Sequence, residues 1–91
     1  MLPAPELIAA MTGSPVTIGT LLHVPVKLIL DNQSTGPVVL SINGVSWKTF
    51  AAQECLILDD DLYTFPSGTV FSGNGAALGS FSISYTYINY P

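Results

Sequence analysis

The pair Asn43-Gly44, set between the runs VVLSI and VSWKTF, constrains this chain more than any other feature. Asn-Gly is the preferred occupant of a two-residue type I′ turn, because both central residues of that turn must take positive φ. Such a turn fixes the register of the strands it joins. It sets Ile42 opposite Val45, Leu40 opposite Trp47 and Val38 opposite Thr49 on one face, with Ser41 opposite Ser46 and Val39 opposite Lys48 on the other. The first face is apolar and the second mostly polar, so turn chemistry and patterning agree on an antiparallel sheet with one buried side. Leu40, Ile42 and Trp47 are the expected core contribution of this hairpin, with Trp47 as its plug.

The rest of the chain extends the β reading. VPVKLIL alternates, Val24, Val26, Leu28 and Leu30 against Pro25, Lys27 and Ile29, and DNQSTGP after it consists almost wholly of turn formers. CLIL is a short strand that Asp59-Asp60-Asp61 ends. Thr69-Val70-Phe71 is a brief strand, and SGNGAALG reads as a flexible connector. Residues 80–90 alternate Phe81, Ile83, Tyr85 and Tyr87 against Ser82, Ser84 and Thr86, which predicts the longest strand and places Phe81 and Ile83 in the core. Residues 16–22 carry β-branched side chains at every second place, with Gly19 as a weak point. Only residues 1–14 depart from this pattern. Leu7, Ile8 and Met11 can share one face of a helical turn, and Pro5 before Glu6 suits a helix start, so this segment reads as a short helix or an arm docked on a neighbour.

Many short strands separated by Gly/Pro-rich turns specify an all-β domain, a small antiparallel β-sandwich or jelly-roll-like barrel over residues 15–91, preceded by the arm or helix of residues 1–14. With 91 residues, the core is modest, and burial against partner subunits is a natural supplement.

Charge narrows the function classes. Only 9% of residues are charged, against about 25% in an ordinary soluble domain. The two cations, Lys27 and Lys48, face six carboxylates for a net charge of -4, which argues against a phosphate-tracking groove and so against nucleic acid as a partner. The longest apolar runs fall well short of the roughly 20 residues a membrane helix needs, and MLPAPELIAAM lacks the basic start of a secretory signal. No membrane partner is expected.

Reactive groups are few. His23 is the sole histidine and reads as a sheet-edge or turn residue, and Cys55 in ECLIL reads as a small buried hydrophobe. No base-nucleophile pair and no zinc ligand spacing is present, so no catalytic residue, metal or cofactor is expected. Asp59-Asp60-Asp61 reads as a solvated turn before a cation site, since consecutive residues of an extended chain point alternately up and down. The run Ser72-Gly73-Asn74-Gly75 lacks the Lys-Ser/Thr ending of a phosphate loop. Leu7, Ile8 and Met11 at one terminus, and Ile88 and Tyr90 at the other, are the expected subunit-interface residues, since amphipathic rings and aliphatics suit such contacts.

The loop Asp31-Asn32-Gln33-Ser34, the hairpin of residues 38–45, the segment 50–59 and the closing stretch 79–87 together resemble small β-rich virion proteins of tailed bacteriophages, of the capsid decoration, head fibre or head-tail accessory type. The resemblance covers residues 26–87. It implies a non-enzymatic structural subunit located in the virion, assembling as a symmetric homo-oligomer and docking on other virion proteins such as the major capsid protein, and it transfers no ligand residues. The alternative from the residues themselves is a small carbohydrate- or peptide-binding module that uses exposed aromatics, Trp47 or the terminal tyrosines.

Overall fold

In the computed structural model, which describes residues 2–59 and 65–88, the hairpin forms from β5 (Val38–Ile42) and β6 (Val45–Phe50) around Asn43 and Gly44, whose φ values are 51° and 84°. Seven further strands are β1 (Leu2–Pro3), β2 (Leu7–Ala10), β3 (Val16–Thr20), β4 (Pro25–Asn32), β7 (Cys55–Leu58), β8 (Val70–Gly75) and β9 (Ser80–Tyr87), and the described residues contain no helix. The fold is all-β.

Every strand pair is antiparallel. β1 and β2 line the same edge of β9, so that one sheet runs β2-β9-β4-β7 with β1 prolonging its first edge; the other runs β3-β8-β5-β6. From β2 onward each connection passes from one sheet to the other, the β5-β6 hairpin excepted. This is the eight-stranded double Greek key of a jelly roll.

The core lies between the sheets. Leu28 and Leu30 from β4, Phe81 and Ile83 from β9, Val38 and Leu40 from β5, Phe50 from β6 and Phe71 from β8 are all fully buried, with Phe50 set edge-on against Phe81 at 5.1 Å. Ile42, nearer the hairpin tip, is partly buried against this cluster.

Three sequence expectations are corrected. Residues 7–10 form a strand paired with β9, not a helix: Leu7 lies opposite Ile83 and Ala9 opposite Phe81 on the inner side, while Ile8 lies opposite Ser82 on the outer. The short apolar run ELIAAM fits either period, and the free edge of β9 decides for period two. Second, the hairpin register slips by one residue between Leu40 and Ser41. Ile42 faces Val45 and Ser41 faces Ser46, but Leu40 then faces Lys48 and Val38 faces Phe50, which leaves Trp47 as the extra residue of a β-bulge. The slip carries Phe50 into the core in place of Trp47, which remains 41% exposed. Third, Ser72-Gly73-Asn74-Gly75 is no connector but the last four residues of β8, a central strand between β3 and β5. A Cβ on Gly75 would lie 2.8 Å from Val38 Cγ2, and one on Gly73 3.3 Å from the Met11 sulfur. These glycines make room for neighbouring side chains to fill the core.

A polar cluster ties the crossovers together. Asn32, fully buried, donates through Nδ2 to the carbonyls of Gly36 (3.0 Å) and Ala51 (2.9 Å), while its Oδ1 accepts from Ser34 N–H (3.1 Å) and Ser34 Oγ (2.6 Å). Gly36 O, 2.8 Å from Ser34 Oγ, is the alternative acceptor for that single hydroxyl proton, and Gln53, at φ 63°, donates to the carbonyls of Ser34 (2.7 Å) and Gln33 (3.0 Å). The loop from β4 to β5 is thereby clasped to the turn from β6 to β7.

Candidate functional site

The reactive side chains stand apart. His23, in the corner between β3 and β4, stacks flat on Tyr87 with ring centroids 3.7 Å apart and planes 4° from parallel. Cys55 is exposed on β7, not buried as ECLIL suggests, because the alternation of β7 turns Leu56 and Leu58 toward the core and Cys55 and Ile57 outward. His23 precedes β4, whereas Cys55 pairs with Asp31 near its far end, roughly 20 Å away along the strand. They form no nucleophile-base pair. Asp59 is exposed, and Asp60 and Asp61 lie outside the described residues, among which no group of three or more potential metal ligands occurs.

Among the described residues, one carboxylate is held in an ion pair. Glu54 accepts a hydrogen bond from Ala51 N–H (2.8 Å) and pairs with Lys48 Nζ (3.2 Å); the amide first, and then the ammonium, hold its carboxyl below the usual carboxylate range. Lys48 Nζ also lies 5.2 Å from the Phe50 ring centroid. This arrangement closes the turn from β6 to β7 and leaves little chemistry to spare.

What the surface does present is apolar area, in three places. At the β6 edge, Trp47 meets Phe65 edge-on at 6.4 Å and Phe50 at 6.5 Å, with much of its indole in solvent. At one end, Leu2 pairs across Tyr87, and Tyr87 across Pro25, which brings exposed Leu2, Val24 and Ile88 to the same rim. The third is the outer face of the five-stranded sheet, where the register sets Ile8, Ser82, Asp31 and Cys55 in one row and Ser84, Ile29 and Ile57 in the next. The opposite outer face, that of β3-β8-β5-β6, has Thr17, Ser72, Ser41 and Ser46 in one row and Asn74, Val39 and Thr49 in another. The two faces are chemically unlike.

Of the interface residues expected from sequence, Ile8 and Ile88 are about half exposed. Met11 is buried and Leu7 packs against the core, since a strand, unlike a helix, divides these side chains between two faces. Tyr90 lies outside the described residues. Sequence reasoning passed over the row of Lys27, Ile29 and Asp31, although the alternation of VPVKLIL carried the signal. Compared with known proteins, the chain matches no family model, no curated protein and no solved structure.

Proposed function

We propose that this protein is a non-enzymatic structural subunit of a virion, which assembles with copies of itself and docks on other virion proteins. The observation that carries the reading is the exterior: nine large hydrophobic residues are exposed among the described residues, while the whole chain has two basic and six acidic groups to solvate it. Single exposed apolars are ordinary on any protein, but a surface with so few charges is suited to being covered. The jelly roll adds a fold-level analogy, since this architecture is used in viral capsid domains; it is used equally in lectins and cupins, and a fold does not choose among functions. The resemblance of residues 26–87 to small phage virion proteins favours the first of these.

Sedimentation of the untagged protein over a wide concentration range tests the reading. A defined symmetric oligomer is expected, and a monomer at every concentration would refute self-assembly. Trp47 supports a second reading, a glycan or peptide platform, because a half-exposed indole braced by Phe65 offers a stacking surface. A saturable change in Trp47 emission on adding oligosaccharides or peptides to a monomeric protein would favour that reading.

A further inference from the structure

We infer that the outer face of the five-stranded sheet is a two-fold self-association surface centred on Ile29, in which Lys27 of each copy meets Asp31 of the other. The inference deepens the structural-subunit reading and rests on it only for the expectation that the chain associates with itself. On β4, Leu28 and Leu30 are fully buried, so Lys27, Ile29 and Asp31 project from the opposite side of the sheet. A cation and an anion thus stand about 7 Å either side of one isoleucine, taking the usual strand rise. A two-fold axis lying in the plane of contact, running across the strands over Ile29, lays β4 antiparallel on β4 of a second copy. It superposes Lys27 on Asp31 of the second copy, and Asp31 on its Lys27. The pattern is complementary to itself, whereas a partner of one charge would match only half of it.

The surrounding surface fits this arrangement. Ile29 is flanked by Ser84 on one side and exposed Ile57 on the other, so the row on the axis is uncharged. Across the same axis Ser84 of β9 faces its own copy and Ser82 faces Thr86 of the second copy, so β9 sets hydroxyl groups against hydroxyl groups. Asp31 accepts from Gln33 Nε2 at one carboxylate oxygen (Oδ2, 3.2 Å), and its other oxygen takes no hydrogen bond among the described residues. Size also separates the candidate surfaces. The molecule measures 41 × 22 × 20 Å, so a broad side offers about twice the area of an end toward the ~800 Å² each partner of a stable interface buries.

The test is sedimentation of four proteins, wild type, Lys27→Asp, Asp31→Lys and the double variant, together with an equimolar mixture of the two single variants. Each single variant sets like charges together at both contacts and should raise the dimer dissociation constant about tenfold or more. The double variant restores opposite charges and should dimerise, and the mixture should form a heterodimer that neither single variant forms with itself. Circular dichroism checks that each variant keeps its sheet signal. Single variants that associate as the wild type does, or a mixture that forms no heterodimer, would overturn this interface while leaving self-assembly standing. A wild type that stays monomeric at all concentrations would overturn both.

Discussion

Replacing Asn32 should destabilise this fold although the residue is polar, and the cost should depend on which polar atom is lost. In Asn32→Ala, Ser34 N–H loses its acceptor, while Gly36 O takes the Ser34 hydroxyl proton and Ala51 O keeps Glu54 N–H. One buried polar group left unpaired costs about 1–3 kcal/mol. Domains of this size have about 5–15 kcal/mol in total, so the melting temperature should fall by on the order of 5–20 °C. Asn32→Asp separates the donor and acceptor roles. The carboxylate still accepts from Ser34 but can donate nothing to the carbonyls of Gly36 and Ala51, and it places a charge in a buried site against their oxygens. Its folded-state pKa must therefore rise, because only the protonated acid can donate there. The sign follows: below the unfolded Asp value near ~3.9 both states carry the proton and the variant is least destabilised. As pH rises the unfolded state ionises first, and stability relative to wild type falls by up to about 1.4 kcal/mol per unit until the folded value is passed. Denaturant unfolding of wild type, Asn32→Ala and Asn32→Asp at pH 4 and pH 7 measures this. An Asp variant as stable as wild type at pH 7, or one whose deficit does not change with pH, would refute the donor role assigned to Asn32.

Gly75→Ala should destabilise by about 1–3 kcal/mol, since its new Cβ meets Val38 Cγ2 at 2.8 Å and the Pro37 carbonyl at 2.9 Å. A Cβ on Gly44 meets nothing within 4 Å, so the loss of about 1–3 kcal/mol expected for Gly44→Val in denaturant unfolding would come chiefly from the positive φ. Phe50→Ala should cost about 3–5 kcal/mol and Trp47→Ala clearly less, the reverse of what strict alternation along β6 implies; equal losses would place Trp47 in the core after all. Glu54→Gln should lower stability slightly at neutral pH, with the deficit present above the unfolded carboxylate pKa and vanishing as pH falls through the depressed folded value, and it should shrink in high salt.

The elements that were legible in the sequence are those whose local signals agree with one another. Asn43-Gly44 specifies a turn by φ, and Ser80 to Tyr87 specifies a strand by alternation, and neither depends on a distant residue. What was not legible depends on contacts across the molecule. The bulge at Trp47 leaves no mark in VSWKTF; it is decided by the burial of Phe50 against Phe81 and by Lys48 turning to Glu54. Glycines that signal a loop by propensity are held in β8 by Met11 and Val38, which fill the space where side chains would stand. The edge strand β2 exists because β9 has a free side for it. For the same reason, the surface pattern of Lys27, Ile29 and Asp31 acquires meaning only when the neighbours of β4 are known.

The two outer faces show how a chain with so few charges divides its surface. The β3-β8-β5-β6 face is solvated by hydroxyl and amide groups, Thr17, Ser41, Ser46, Thr49, Ser72 and Asn74, with Val39 and Val70 the aliphatic exceptions. On the other face the hydroxyls of β9 lie between Ile8 on one side and Ile29 with Ile57 on the other, so that polar groups line a floor with aliphatic walls. A sheet solvated for its own sake gains nothing from raised isoleucines, because β-branched residues can serve strand propensity equally well as threonine. Threonine stands at positions 17 and 49 of the polar face, where isoleucine stands at 8, 29 and 57 of the other. Apart from Thr86, which stands opposite Lys27 on the isoleucine face, the choice between these two similarly shaped side chains tracks the face, and the difference it makes is about a methyl group's worth of apolar area exchanged for a hydroxyl, ready to be buried by something that packs there.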